Sequence, residues 1–500
     1  MLAFIIFALT LFGILRRPFG FGIWVYSSVG AVAVTLLKLV NFSDLRFIFS
    51  LIWDSSLTLI ALIIISLCLQ SLGFFEWLIF YTLKLCQRVK IAGEIQRVTP
   101  NSQAQNALNA NSNTQNATNL SLAMPNSHNQ ISANSAQNTL IINAKVLFIA
   151  LCFLCALCSS VLANDGAILI FTPLVLGLFL RAKKADLRLI IAFLFAVGFV
   201  CDSSSNALII SNLTNIITAN FYHIGFADFA KMMFLPNLLA FLCALMLFLL
   251  VFRGVLRTNL HFRAPAQPKL ANKFFAFYLG LLGLFVGSFF ISRHFSLPLS
   301  VNCLILALIL LFILWRKSPH KATNALKNAP FGIIVFVFGL FVVVFALTKT
   351  DIQPFSFVIL NALSHDKFSA IFGTGVLSAF GASIFNNLPM VLFGNLAINE
   401  LFAPLVAFGD LPQTDFFTLS LANSDFIADK NIKQNFVYAH LLGCNIGSKL
   451  TPIGSLCTLL WLSILAKKGV KMSFARYFAY SLIFTLPVLF AALFGLWLLG

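Results

Sequence analysis

Two stretches of this chain interrupt long apolar runs with polar residues, and the interruptions match. The first runs from Val161 through LANDGAILIFTP to VCDSSSNALIISNLTNIIT. The second runs from IFNNLPMVLFGN to GCNIGSKLTPIGSL. Each has an Asn-containing tip, then a second run broken by Asn, Ser, Thr, Gly or Pro. Inside a bilayer a broken helix leaves backbone groups without partners, so such breaks persist only where they line a cavity in the protein. Matched breaks in corresponding halves point to the substrate site of a carrier built from inverted repeats.

The broken elements align without a gap. CDSSSNALIISNL over CNIGSKLTPIGSL places Cys201 over Cys444, Asp202 over Asn445, Ser205 over Ser448, Asn206 over Lys449 and Leu213 over Leu456. At the tips, Asn164-Asp165 matches Asn386-Asn387.

The rest of the chain fits a bilayer. Hydrophobic residues make up 60 % of it and charged residues 10 %, with a mean hydropathy of +0.95. Apolar runs of about 18 residues or more recur, the length that crosses a membrane. The net charge of +18 does not indicate a nucleic-acid partner, because the basic residues sit in short loops between apolar runs.

In order, 1–20 holds a first span that ends at Arg16 and Arg17, read as uncleaved. Residues 21–252 form repeat one, with spans at 21–40 and 47–73 and an aromatic interfacial helix at 74–85. Within it, 98–144 is rich in Asn, Ser, Gln, Ala and Thr and has no Lys, Arg, Asp or Glu. Such a tract buries too little apolar surface to offset its ordering entropy, and is expected to be a disordered cytoplasmic loop. A re-entrant hairpin follows at 145–180, then a broken helix at 188–218 and a span at 232–252. Residues 253–296 are a linker and a connecting span. Residues 297–500 form repeat two, with spans at 297–315 and 331–347, a re-entrant hairpin at 367–400, an Asp-bearing loop at 401–434, a broken helix at 435–465 and a last span at 477–498.

Placing Arg16 and Arg17 in the cytoplasm puts 24 of the 33 Lys and Arg on that side and eight outside, with Lys449 in a break. This bias sets the orientation, with both termini periplasmic and the two repeats inverted. The expected fold is an all-α polytopic membrane protein of about ten transmembrane helices plus two re-entrant hairpins.

Asp165, Asp202 and Lys449 lie deep in the motif elements. Ionisable groups there are costly and mark ion pathways, unless they form a structural pair such as Asp202 with Lys449. Both aspartates belong to repeat one, which places proton coupling in that half. The Asn, Ser and Thr residues either cap half-helices or hold a hydroxyl-rich or anionic solute. The ten cysteines lie mostly inside apolar runs. Cys152, Cys155 and Cys158 read as small buried hydrophobes, with a soft-metal thiol site as the sharper alternative. No cofactor or bound metal is expected.

These residues carry a family resemblance. ANDGAILIFTP, SNLTNI, NNLPMVL, KLTPIGSLCTLLWL, IIISLCLQSLGFFEW at 63–77 and the closing TLPVLFAAL resemble the bacterial arsenite/antimonite efflux pump family, within the ion transporter superfamily of inverted-repeat carriers. The resemblance implies export of trivalent arsenic and antimony across the inner (cytoplasmic) membrane, with protons moving inward, alone or with a soluble arsenite-stimulated ATPase subunit. By position it implies that the tips Asn164, Asp165, Asn386 and Asn387 and the breaks at Asn212, Thr214, Asn215, Thr451 and Ser455 line the substrate site; Gly166 and Asn445 beside them are expected to join it, and the intramembrane charges Asp165, Asp202 and Lys449 are expected to couple protons. The family often has Asp at the positions of Asn445 and Gln70, and Pro at that of Ser448. The alternative within the superfamily is a sodium/proton exchanger or a carboxylate carrier. Carboxylate carriers bear Ser-Asn-Thr at both tips, which Asn-Asp-Gly and Asn-Asn-Leu do not match. An intramembrane aspartyl protease would need a GxGD pattern, and none is present.

Overall fold

The computed structural model describes residues 1–98, 139–180, 182–183, 186–263, 268, 270–292, 295, 297–349, 353–402, 430–470 and 472–499. Most of the Asn-rich tract and the Asp-bearing loop from 403 to 429 lie outside them. The described chain is almost wholly helical, and seven helices are long and apolar enough to cross a membrane.

The apolar runs become helices α1 (Leu2–Arg16), α2 (Ile23–Leu36) and α3 (Phe42–Ser71). α3 starts ahead of its apolar run because Asn41 and Asp44 form a capping box, which satisfies two otherwise unpaired backbone donors. α4 (Phe74–Val98) carries the aromatic segment further than its apolar part, at 74–85, indicates. Trp77 and Tyr81 both donate to Asn272 Oδ1, at 3.1 and 2.9 Å.

The first hairpin is α5 (Ala144–Leu162) and α6 (Asn164–Leu180), followed by α7 (Leu187–Ser203), a single 3-10 turn (Ile209–Ser211), α8 (Leu213–Phe221) and α9 (Phe226–Val251). Then come α10 (Asn272–Ser292), α11 (Leu299–Lys317), α12 (Pro319–Lys327), α13 (Gly332–Leu347) and α14 (Gln353–Leu363). A π turn (Ser369–Gly373) leads into the second hairpin, α15 (Thr374–Phe385) and α16 (Asn387–Leu401). α17 (Lys430–Leu442) then breaks into a π segment (Gly443–Gly447) and a 3-10 turn (Ser448–Leu450) before α18 (Leu456–Lys467) and α19 (Phe474–Leu499).

Three short strands were not expected. β1 (Thr139–Asn143) lies inside the tract read as disordered, so that reading is corrected at its end. β1 and β2 (Ala182–Lys183) both pair antiparallel with β3 (Asn259–Arg263). The sheet gathers the two outer ends of the first hairpin and the segment after α9 into one place.

The second hairpin packs on its broken helix by removing side chains. A Cβ on Gly443 would lie 2.2 Å from Gly375 O, and one on Gly447 would lie 2.1 Å from Ala379 Cβ. Small residues let helix backbones approach closely where apolar surface gains nothing over lipid.

Candidate functional site

At both tips the backbone turns through a conformation that side chains rarely adopt. Ala163 has φ 63° and ψ 145°, and Asn386 has φ 78° and ψ 151°. Such positions cost about 1–3 kcal/mol and persist where the surroundings hold them. Their correspondence sets the tip register: Ala163 stands for Asn386 and Asn164 for Asn387. This shifts the dipeptide match of the sequence by one residue and puts Asp165 opposite Leu388.

The two breaks meet each other. Asp202 Oδ2 accepts from Lys449 Nζ, and Asn445 Nδ2 donates to Asn206 Oδ1 at 2.7 Å. Asp202 aligns with Asn445 and Asn206 with Lys449, so these are one contact made twice. Local bonds repeat as well. Ser160 Oγ donates to Ser204 O at 3.1 Å, and Ser383 Oγ to Gly447 O at 2.9 Å. Ser205 Oγ donates to Asp202 O, and Ser448 Oγ to Asn445 O.

Around the charged contact, Asn164 Nδ2 donates to Asp202 Oδ1 at 2.7 Å and Ser455 Oγ to Oδ2 at 3.2 Å. The Asp202 and Lys449 side chains are each 1 % exposed. The carboxylate therefore joins the first tip to the second break. Next to it, Asn445 also donates to Asn215 Oδ1 at 2.8 Å and accepts from Thr214 Oγ1 at 2.6 Å. Asn212 caps α8 through Thr214 N and donates weakly to Ser205 Oγ.

The second tip leans on its own break. Asn387 N donates to Gly454 O at 2.8 Å, and Asn386 Nδ2 to Ile453 O at 2.9 Å. Thr451 Oγ1 goes to Ser383 O, away from the charged contact. Asn387 Oδ1 is buried without a hydrogen-bond partner among the described residues. Asp165 faces the Cys457 thiol, and Gly166 lies where a Cβ would meet Ser66 Oγ at 2.7 Å.

Sequence reasoning thus singled out most of this network. It missed Asn206, which its own alignment over Lys449 could have flagged, and Ser66, which carried no signal. It also missed Asp54 and His440. Asp54 is buried on α3, where it accepts from Asn220 Nδ2 and from Ser300 N at the start of α11, each at 3.0 Å. His440 Nδ1 is 2.7 Å from Ser378 Oγ.

Cys155 contacts Cys201 behind the first break. Among the described residues no group of three or more His, Cys, Asp or Glu is placed to hold a metal ion. The free space beside Lys449, Thr458 and Tyr477 is about 10 Å³, too little for more than one water.

The family described as arsenical pump membrane protein matches residues 2–124, 133–404 and 405–499. An arsenical pump membrane protein of Escherichia coli (strain K12) is 31 % identical, over 99 % of this chain and 97 % of its own. One of Yersinia enterocolitica is 31 % identical over the same shares. A putative arsenical pump membrane protein of Bacillus subtilis (strain 168) is 24 % identical over 98 % of this chain and 97 % of its own. The chain belongs to the arsenical pump membrane protein family, whose members are membrane transporters and not enzymes.

Proposed function

We propose that this chain exports arsenite and antimonite from the cytoplasm, across the inner membrane, in exchange for protons. The observation that carries the reading is the buried Asp202 carboxylate, shared by Lys449 and Ser455 of one half and Asn164 of the other. A proton on Asp202 Oδ2 removes its attraction for Lys449 and competes with the bond from Ser455, while Oδ1 goes on accepting from Asn164. Protonation therefore loosens the first tip from the second break. Asp165, one residue on from Asn164, is the second carboxylate on this path. The matched contacts are read as two inverted repeats closing on one site.

The solute is taken as the neutral trihydroxide. Its hydroxyls both donate and accept, which suits amide and hydroxyl side chains such as Asn164, Asn387, Asn445, Thr214, Asn215 and Ser455. Asn387 Oδ1, buried and unpaired, is a ready acceptor for one of them. A thiolate site would hold trivalent arsenic tightly and slow its release on every cycle.

The test uses everted vesicles carrying the full chain. Arsenite and antimonite should accumulate when the vesicle interior is acid and stop when the gradient is collapsed. Accumulation indifferent to the gradient would end the exchange reading.

A further inference from the structure

The seam between α5 and α9 carries an exposed groove of about 420 Å³. Leu242, Met246, Leu249 and Leu250 line it, and Lys145 and Arg253 close one end. Lys145 is in the first turn of α5, and Arg253 follows the last turn of α9. Both therefore sit at the sheet end of the seam, since β1 runs into α5 and β3 follows α9. Among the described residues neither side chain has a hydrogen bond, ion pair or ring contact. Two cations thus line the head of an apolar trough with no acidic partner among the described residues.

The trough continues past the groove. From Leu242 to Leu250 it covers about 12 Å of helix. Beyond it, Phe153 of α5 meets Phe241 of α9 edge-on at 4.9 Å, with Phe153 and Leu157 exposed. Basic groups at the membrane surface beside an apolar channel between helices match the two parts of a lipid: an anionic phosphodiester and acyl chains.

We infer that the α5–α9 seam is a binding site for an anionic diacyl phospholipid, its phosphate held by Lys145 and Arg253 and its acyl chain lying along Leu242–Leu250. The lipid would bridge the first hairpin, which carries the Asn164 tip, to α9 of the surrounding scaffold. A zwitterionic lipid leaves the two cations uncompensated. Inorganic phosphate lacks the chains that the trough accepts.

The test titrates the full chain, purified in a non-ionic detergent, with short-chain phosphatidylglycerol, phosphatidylcholine or inorganic phosphate. Thermal unfolding and native mass spectrometry provide the readouts. Phosphatidylglycerol should bind and raise the unfolding temperature, and the other two should not. Each surface cation contributes about fivefold in affinity, so Lys145→Gln with Arg253→Gln should weaken phosphatidylglycerol binding about 25-fold. Lys467→Gln with Lys468→Gln, on another basic link, should leave it unchanged. Met246→Glu, exposed in the trough, should weaken it about tenfold without touching either cation. Equal binding of phosphatidylcholine overturns the site, and so does an equal effect of phosphate. An undiminished affinity in the Lys145/Arg253 variant overturns it too. Because the readout is lipid binding, these outcomes do not depend on which solute the chain carries.

Discussion

The two halves of the chain make the same contact with different chemistry. Where the first break bears Asp202, the second bears Asn445. Where the second bears Lys449, the first bears Asn206. Each pair reaches across between the halves, one as a buried ion pair and the other as an amide–amide bond. The surrounding bonds, Ser160 to Ser204 and Ser383 to Gly447, are alike. Amides thus suffice to hold this crossing together, since one of the two is made of them. A buried ion pair is poor value as mere glue, because desolvating both ions consumes most of their attraction. Its presence at only one crossing points to a task beyond packing.

The largest expected effect comes from breaking the charged crossing on one side. Lys449→Met leaves Asp202 buried and unpaired, a loss of about 3–5 kcal/mol, so little folded protein should reach the membrane. Adding Asp202→Asn and placing Asn at 449 copies the other crossing. That double variant should recover folded protein while losing the response of arsenite uptake to the proton gradient. Quantifying membrane levels and vesicle uptake for both checks this. A double variant that keeps full gradient response would reduce the pair to packing.

A smaller contrast concerns the tips. Asp165→Asn should cut gradient-driven uptake on the order of tenfold, or about 1.4 kcal/mol of barrier. Asn387→Asp, which adds a carboxylate to the other tip, should change it about twofold at most. Similar losses from both would remove coupling from the first half.

The smallest effect should be the most symmetric. Ser160→Ala and Ser383→Ala delete matching side-chain-to-backbone bonds and should each cost about 1 kcal/mol of stability. Unfolding in detergent would show it. Unequal losses would mean that the likeness of the two scaffolds is only geometric.

Much of this is legible in the sequence because a bilayer leaves few options. The apolar runs 47–73 and 477–498 become the helices Phe42–Ser71 and Phe474–Leu499, and the gapless alignment of the breaks names residues that meet in pairs. The Asp202–Lys449 contact follows from the cost of leaving either charge alone. Other features depend on information no residue pattern carries. Which tip residue takes the positive φ is decided by packing on the neighbouring break, so the Asn dipeptides suggest a register one residue off. Thr139–Asn143 becomes a strand only because Asn259–Arg263 offers it an edge. α12 lies in a polar link whose helix shows only as an amphipathic turn pattern beginning at Pro319. Asp54 is identifiable as a charge near an apolar run, but its partners Asn220 and Ser300 lie far along the chain.

The small sheet has a mechanical consequence. It clasps the base of the first hairpin at both feet, through Thr139–Asn143 on one arm and Ala182–Lys183 on the other, against a single strand. A strut clamped in this way cannot lengthen one leg relative to the other. A tilt of its tip about the clasp carries β3 with it. A rigid tilt that lifts Asn164 away from Asp202 is therefore felt at the far end of the hairpin as a torque on Asn259–Arg263.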